Sequence, residues 1–381
     1  MNKVAQQVLM MTGEYPPRIG GVGDHAHKLR TALVSLGLVC EIVTESRSND
    51  SERESVRSLD TRFPLQAVTG ALRILRKARP DVLHLQFQAG AFARPGELLV
   101  IAFLARVFKL VGRVVVTLHD LNEPYLFPKA GRFRSWFFRQ LERMADSVIY
   151  VDELDRRWAD ANRDAAVDRF WIPAGPTIEP GRQVLDRDAS RTCLNLSKND
   201  FLIGYFGFRQ ASKGIRVLAE TMRRPEFKDP HVALALIGAA GPNLTGSRSE
   251  VVVEDSIFTG LNIFQTGAQD PAVISMWLSA CDVVALPFLE GLSSRRGSFM
   301  NAVAHGLPVV TTEPKVEGMV DVASHEVVFV PRGDVEALAK ELVSLRNDGS
   351  KRDRLAKGSL AVADRHSWSE IARRTREVYG L

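Results

Sequence analysis

Cysteine is scarce. The 381 residues hold three, Cys40, Cys193 and Cys281, far apart and without metal-ligand spacing. That excludes a disulfide framework and suits a reducing compartment. Long apolar runs are missing too. The longest, Leu98 to Ala105, falls far short of the ~20 residues that a membrane-spanning helix needs. The first twelve residues lack the pattern of a secretory leader. A cytoplasmic location is therefore expected, and Asn195-Leu-Ser reads as a chance glycosylation match. There is no low-complexity tract and no short repeat. No nucleic-acid reading module is recognisable, and a net charge of +5 is a small excess, so no nucleic-acid partner is expected. The mild excess of cations suits phosphorylated ligands or an anionic membrane face.

What is present is the composition of a soluble globular protein, 45% apolar and 25% charged, in a chain too long for one ordinary core. Short apolar runs alternate with amphipathic segments. Strands are expected at 7–12, 40–44, 82–86, 113–118, 147–151 and 170–172, and again at 201–206, 232–237, 263–266, 283–286, 309–311 and 327–330. Helices are expected at 24–36, 65–79, 96–111, 133–145 and 153–162, then at 214–223, 271–280, 297–304, 335–347 and 368–379. This order implies an α/β chain with two parallel sheets wrapped by helices. The stretch 173–199, rich in Pro, Gly, Asp and Arg, reads as the linker.

Open parallel sheets bind ligands beyond the carboxyl ends of their strands. The residues after each strand therefore carry the candidate chemistry. Gly20-Gly21-Val-Gly23 enters the first helix; its glycines either let backbone approach a ligand or form a plain turn. Their spacing is not the Gly-x-Gly-x-x-Gly of a dinucleotide fingerprint, which disfavours an NAD enzyme. His119, in Thr117-Leu-His-Asp120, reads as a catalytic group or as a structural hydrogen-bonder. His84, Gln86 and Gln88 are polar groups in an apolar context, suited to reading hydroxyls or to satisfying loop carbonyls. In the second half, Gly207-Phe-Arg209-Gln-Ala-Ser-Lys213-Gly214 follows a strand and precedes a helix. The helix dipole disfavours cations at such a start, which tilts Arg209 and Lys213 toward clamping a diphosphate. Gly loops continue at Ile237–Pro242, and Thr266–Asp270 could line a base pocket. The densest stretch is Glu290-Gly-Leu-Ser293-Ser-Arg295-Arg296-Gly297-Ser298, a loop that opens a helix and turns amides and guanidinium groups toward an anion.

Taken in order, these loops resemble the retaining glycosyltransferases of family 4 over nearly the whole chain. Ala280–Pro287, Ala302–Val310 and the closing His366-Ser-Trp-Ser-Glu-Ile-Ala372 extend the match. The resemblance implies the GT-B fold, two Rossmann-like domains facing a central cleft. Residues 1–180 would form the acceptor-side domain, with a C-terminal helix at 366–381 crossing back to it, and 181–365 the donor domain. It further implies a nucleoside-diphosphate sugar as donor, transfer to an acceptor hydroxyl with retention, and a cationic clamp in place of a metal ion, so no metal and no cofactor are expected.

The resemblance places Gly20, Gly21 and Gly23 near the donor phosphates, His119 beside the transferred sugar and Lys213 on the leaving diphosphate. The family's pair of glutamates, which bind donor sugar and ribose, falls on Ser293 and Asn301. Both can hydrogen-bond hydroxyls but carry no charge. Phe208 stands at the family's phosphate-binding arginine. The clamp is therefore expected from Lys213, Arg295 and Arg296 with Gly297 and Ser298, helped by Arg209 and Glu290. The catalytic roles fall on His119, Lys213 and Arg295. A glycan or lipid-linked acceptor is expected. Lys129–Arg143 and Arg106–Arg113 interleave cations with aromatics, which suits peripheral contact with an anionic inner membrane face or ordinary core packing. Two rival readings share the architecture: a sugar-nucleotide epimerase, and a non-catalytic partner that keeps the fold for assembly.

Overall fold

The first strand, β1 (Gln7–Thr12), shows how the amino-terminal sheet forms. Its side chains alternate, Val8 and Met10 entering one apolar core and Leu9 and Met11 another. A strand covered on both faces needs this near-continuous apolar run. In the computed structural model the described residues are 6–18, 20–45, 56–59, 64–88, 91–92, 94, 96–121, 131–162, 167–180, 186–241 and 253–381, with backbone alone at 64 and 131–135.

Two compact units result: Met1–Gly175 with Trp368–Leu381, and Pro176–Ser367. In the first, β1 is joined by β2 (Val39–Thr44), β3 (Val56–Ser58), β4 (Val82–Phe87), β5 (Arg113–Leu118), β6 (Ser147–Tyr150) and β7 (Asp168–Trp171). Their order is β3-β2-β1-β4-β5-β6-β7, every pair parallel. The crossovers run through α1 (Gly21–Ser35), α2 (Pro64–Ala78), α3 (Gly96–Val107), α4 (Gly131–Met144) and α5 (Glu153–Asn162).

The second unit begins with α6 (Arg187–Cys193). Its sheet holds β8 (Phe201–Phe206), β9 (Val232–Ile237), β10 (Ile263–Gly267), β11 (Val283–Leu286), β12 (Val309–Thr312) and β13 (Val328–Val330), in the parallel order β10-β9-β8-β11-β12-β13. Its helices are α7 (Ile215–Met222), α8 (Pro271–Ala280), α9 (Gly297–Ala304), α10 (Val335–Asn347) and α11 (Gly349–Arg365). The last helix, α12 (Trp368–Tyr379), belongs to the first unit. There Trp368, Ile371, Ala372 and Val378 share a core with Ala26, Leu29 and Leu33 of α1. The expected α/β architecture of two Rossmann-like parallel sheets is thus present.

Each sheet reverses its winding once, between β1 and β4 and between β8 and β11. Loops diverge there, and such a point is where open α/β sheets hold ligands. In the second unit a buried clamp fixes the two strands flanking it. Arg191 is fully buried and donates to Asp282 Oδ2 at 2.7 Å and to the carbonyls of Ala280 and Asp200; Asp282 also accepts from the Leu202 N–H. A buried guanidinium held this way is costly to break.

Among the strands and α-helices, β3, α6 and α11 were not expected from the sequence. The stretch 173–199 is no plain linker, because α6 lies within it and is anchored by buried Arg191. The units divide at Gly175/Pro176 and Ser367/Trp368, beside the expected 180/181 and 365/366. Helix α11 was not expected, since it buries little more than Leu355, Ser359 and Val362 and is otherwise strongly charged.

Candidate active site

In the second unit, two loops are locked together beside the switch point. The 3₁₀ turn Ala211–Lys213 ends at Gly214, whose backbone is left-handed at φ 72°. A side chain at Gly214 would meet the Pro287 carbonyl oxygen at 1.7 Å. Only glycine permits both the conformation and the approach. The Leu289 N–H completes the join, donating to the Ser212 carbonyl at 3.0 Å. This seats Lys213 against Phe288, its Nζ 5.7 Å from the ring centroid. Arg296, at the start of α9, approaches the same ring with its guanidinium carbon 4.8 Å from the centroid. Glu290 closes the group with an ion pair to Arg296 at 2.9 Å. Two cations are therefore gathered over one aromatic ring, whose quadrupole favours positive charge, with one carboxylate paired to one of them.

Ser298, in the first turn of α9, lies against Gly207: a Cβ at Gly207 would stand 3.7 Å from that of Ser298. Gly297 has nothing within 4 Å of a built Cβ, so that turn is open to a ligand. Arg295, half-buried, lies just before that turn, its carbonyl accepting from the Gly297 N–H. Lys213, Glu290, Arg296, Gly297 and Ser298 thus fall into one place, at the positive end of a helix.

Two other expected donor groups, Arg209 and Asn301, are committed elsewhere. Arg209 is buried, donating to Gln265 Oε1 at 3.0 Å and pairing with Asp255 at 3.2 Å. Asn301 is buried as well. Its Oδ1 accepts from the Ile178 N–H at 2.9 Å and its Nδ2 donates to Thr177 Oγ1 at 3.2 Å. Both ends of that amide hold the segment at the head of the unit, at the position where the resemblance implied a ribose-binding residue. Ser293 is buried, and its carbonyl accepts from the Arg296 N–H at 3.1 Å.

In the first unit, the loop after β1 is lined by acid. A Cβ at Gly20 would fall 2.1 Å from a Glu14 carboxylate oxygen, and one at Gly23 would fall 3.1 Å from the Glu14 carbonyl. Those two glycines make room for Glu14, while Gly21 has nothing within 4 Å. Burial, with Glu14 nearby, also lifts the Asp24 carboxyl above its usual range. Around the switch point three histidines cluster: His25 on α1, His84 within β4 and His119 just after β5. His119 packs edge-on against His25 at 4.7 Å, and His25 against Trp368 at 5.0 Å. His119 Nε2 is 2.7 Å from Gln86 Oε1. Burial pushes His25 down to about 4 and His84 to about 3; burial and its two histidine neighbours hold His119 well below the usual range. All three rings are therefore neutral near pH 7.

Phe288 carried no signal beyond following a strand, yet it organises the cations. Tyr379 was likewise missed as a site group, because its partner His84, 2.6 Å from its hydroxyl, lies 295 positions away; Glu14 was missed although it acts on Gly20, Gly23 and Asp24 close by.

The comparisons with known proteins decide the family. Residues 19–168 match the family described as Glycosyltransferase Family 4, and residues 200–348 the one described as Glycosyl transferases group 1. The chain belongs to glycosyltransferase family 4. It is 25% identical to the phosphatidyl-myo-inositol mannosyltransferase of Mycobacterium leprae over 94% of this chain and 92% of that one. A D-inositol 3-phosphate glycosyltransferase of Stackebrandtia nassauensis is 28% identical over 51% of this chain and 45% of its own length. Among solved structures, sucrose-phosphate synthase of Thermosynechococcus elongatus superposes with a TM-score of 0.72 at 17% identity, covering 98% of both chains. HepE of Anabaena, solved with UDP-glucose, gives 0.71 at 17% identity, covering 98% of this chain and 99% of that one. These likenesses show the GT-B fold. The family makes the chain a glycosyltransferase.

Proposed function

We propose that this glycosyltransferase moves a sugar from a nucleoside-diphosphate sugar to an acceptor hydroxyl with retention of configuration, without a metal ion. The carrying observation is the convergence of Lys213 and Arg296 on Phe288 at the start of α9. As the glycosidic bond breaks, its electron pair leaves with the diphosphate, and negative charge builds there. Two cations held in place beforehand stabilise that charge without reorganising. Glu290 now matches Arg296; an incoming diphosphate would replace that carboxylate as its partner. Arg295 and the open turn at Gly297–Ser298 would complete the clamp. The departing phosphate oxygen would take the acceptor proton, and His119 would hold the sugar. Structures of HepE with UDP and with UDP-glucose support a nucleotide-sugar donor by analogy of fold.

Calorimetry with UDP and GDP tests this reading directly. One of them at a hundred times its dissociation constant should stabilise the fold by about 2.7 kcal/mol. If neither binds, the chain is better read as a non-catalytic partner, an idea that the engaged amide of Asn301 favours. With an active donor, NMR of the product anomer tests retention, and turnover in excess EDTA tests metal independence.

A role at an anionic membrane, in envelope glycan or glycolipid synthesis, is the second part of the proposal. Phe103, Val107 and Phe108 at the end of α3 and Trp136 on α4 are exposed, and so are the neighbouring cations Arg106, Lys109, Arg139 and Arg143. Phe137, Phe138 and Leu141 instead face the core. Lys129, Ala130 and the side chains of 131–135, part of the expected basic segment, lie outside the described residues. No helix among the described residues is long and apolar enough to cross a membrane. Sedimentation with phosphatidylglycerol vesicles at low salt should carry the protein down, and Phe103→Ser with Phe108→Ser should release it. Recovery of the native protein in the supernatant would remove the membrane role.

A further inference from the structure

Gln86 lies between two imidazoles. Its Oε1 is 2.7 Å from His119 Nε2, and its Nε2 is 3.2 Å from His84 Nε2, the nearer of the two His84 nitrogens, the other being 3.5 Å away. An amide oxygen only accepts and an amide nitrogen only donates, while a neutral imidazole has one N–H and one lone pair. The ring facing the amide oxygen must bring its N–H. The ring facing the amide nitrogen must bring its lone pair. We infer that Gln86 is a positioning residue that imposes opposite tautomers on His84 and His119, placing the His119 proton on Nε2 and leaving its Nδ1 lone pair for a substrate hydroxyl. The inference rests on the proposed place of His119 beside the transferred sugar.

The surroundings of His84 agree with this order. Its Nε2 is also 2.7 Å from Thr117 Oγ1, whose hydroxyl in this arrangement shares that one lone pair with the amide N–H. Its Nδ1 is 2.6 Å from Tyr379 Oη, which accepts the ring N–H. His84 and Gln86 are completely buried, so no water can replace a mismatched partner. Burial also holds both rings neutral, which the argument requires. Turning the amide over would reverse the demand on both rings at once, which couples the two tautomers. His119 Nδ1 has no hydrogen-bond partner among the described residues, and the residue is partly exposed. The C-terminal helix thereby reaches His119 through Tyr379, His84 and Gln86.

Imidazole ¹⁵N–¹H correlation spectra of the full chain read the tautomers without any donor or acceptor, so the result is independent of whether the transfer reaction proves correct. The native protein should show His119 protonated at Nε2 and His84 at Nδ1. Gln86→Glu keeps the size of the side chain but offers two accepting oxygens, and should bring both rings to the Nε2–H form. Gln86→Leu should release the His119 tautomer to an exchange average and lower kcat about tenfold, with the donor KM little changed. Should the leucine variant fail to fold, the glutamate variant still decides. Matching tautomers in the native protein, or His119 nitrogen shifts unchanged in the glutamate variant, would overturn the inference.

Discussion

Lys213→Ala should lower turnover by about a hundredfold or more, on the order of 3 kcal/mol of transition-state stabilisation, and leave the melting temperature almost unchanged. The size follows from what the lysine is proposed to do. Charge builds on the leaving diphosphate only as the bond to the sugar breaks, so a preorganised cation acts on the transition state more than on the bound donor. The fall should therefore appear in kcat more than in KM. The fold should hold because the side chain is only partly buried and the turn beneath it is fixed by backbone: Gly214 against Pro287, and the Leu289 N–H on the Ser212 carbonyl. Lys213→Arg keeps the charge and should recover part of the rate, the remainder being lost because a planar guanidinium does not occupy the place of a compact ammonium. Arg296→Ala makes an informative companion. It removes a cation and also releases Glu290 beside the same ring, so a diphosphate would then meet an unmatched carboxylate. Native turnover in Lys213→Ala, measured with an active donor, would end the clamp mechanism.

Much of the fold was legible because parallel strands buried on both faces cannot hide. Val232–Ile237 and Val283–Leu286 are apolar throughout, and the expected limits agree with the observed ones. Helices with a broad apolar face, such as Pro271–Ala280 and Trp368–Tyr379, were equally plain. Helix α6 was read as linker because its anchor is a buried arginine, and burial of a cation leaves no apolar mark in the sequence. Helix α11 was lost for a related reason: its buried stripe is narrow, and one of its members is Ser359, which donates to the Leu307 carbonyl. At the candidate site, the Gly/Ser/Arg loop announced itself by composition. What the sequence could not say was which cation each partner would take. Asp255 and Gln265 claim Arg209, and Thr177 with Ile178 claims Asn301, through contacts as much as 124 positions apart. Phe288 brings Lys213 and Arg296 together, yet nothing in a one-dimensional pattern separates an aromatic that packs from one that gathers charge.

The dependence of Lys213 on its turn leads to the second large effect. Gly214→Ala should destabilise the protein by about 2–5 kcal/mol and abolish nucleoside-diphosphate binding. Part of the loss is conformational, roughly 1–2 kcal/mol for holding an L-residue in the left-handed region. The rest comes from forcing a methyl group onto the Pro287 oxygen, a contact that backbone must move to relieve and that falls in the range of about 1–3 kcal/mol for overpacking. Relief would separate the 211–214 turn from the 287–289 loop, break the Leu289–Ser212 hydrogen bond and carry Lys213 away from Phe288. Gly333 provides the control. Its backbone is also left-handed, at φ 76°, but nothing lies within 4 Å of where its Cβ would stand. Gly333→Ala should cost only the conformational part and bind nucleoside diphosphate as the native protein does. Chemical denaturation and calorimetry on the two variants separate strain from contact. Equal losses of stability, or intact diphosphate binding by Gly214→Ala, would show that the joined loops do not hold the lysine in place.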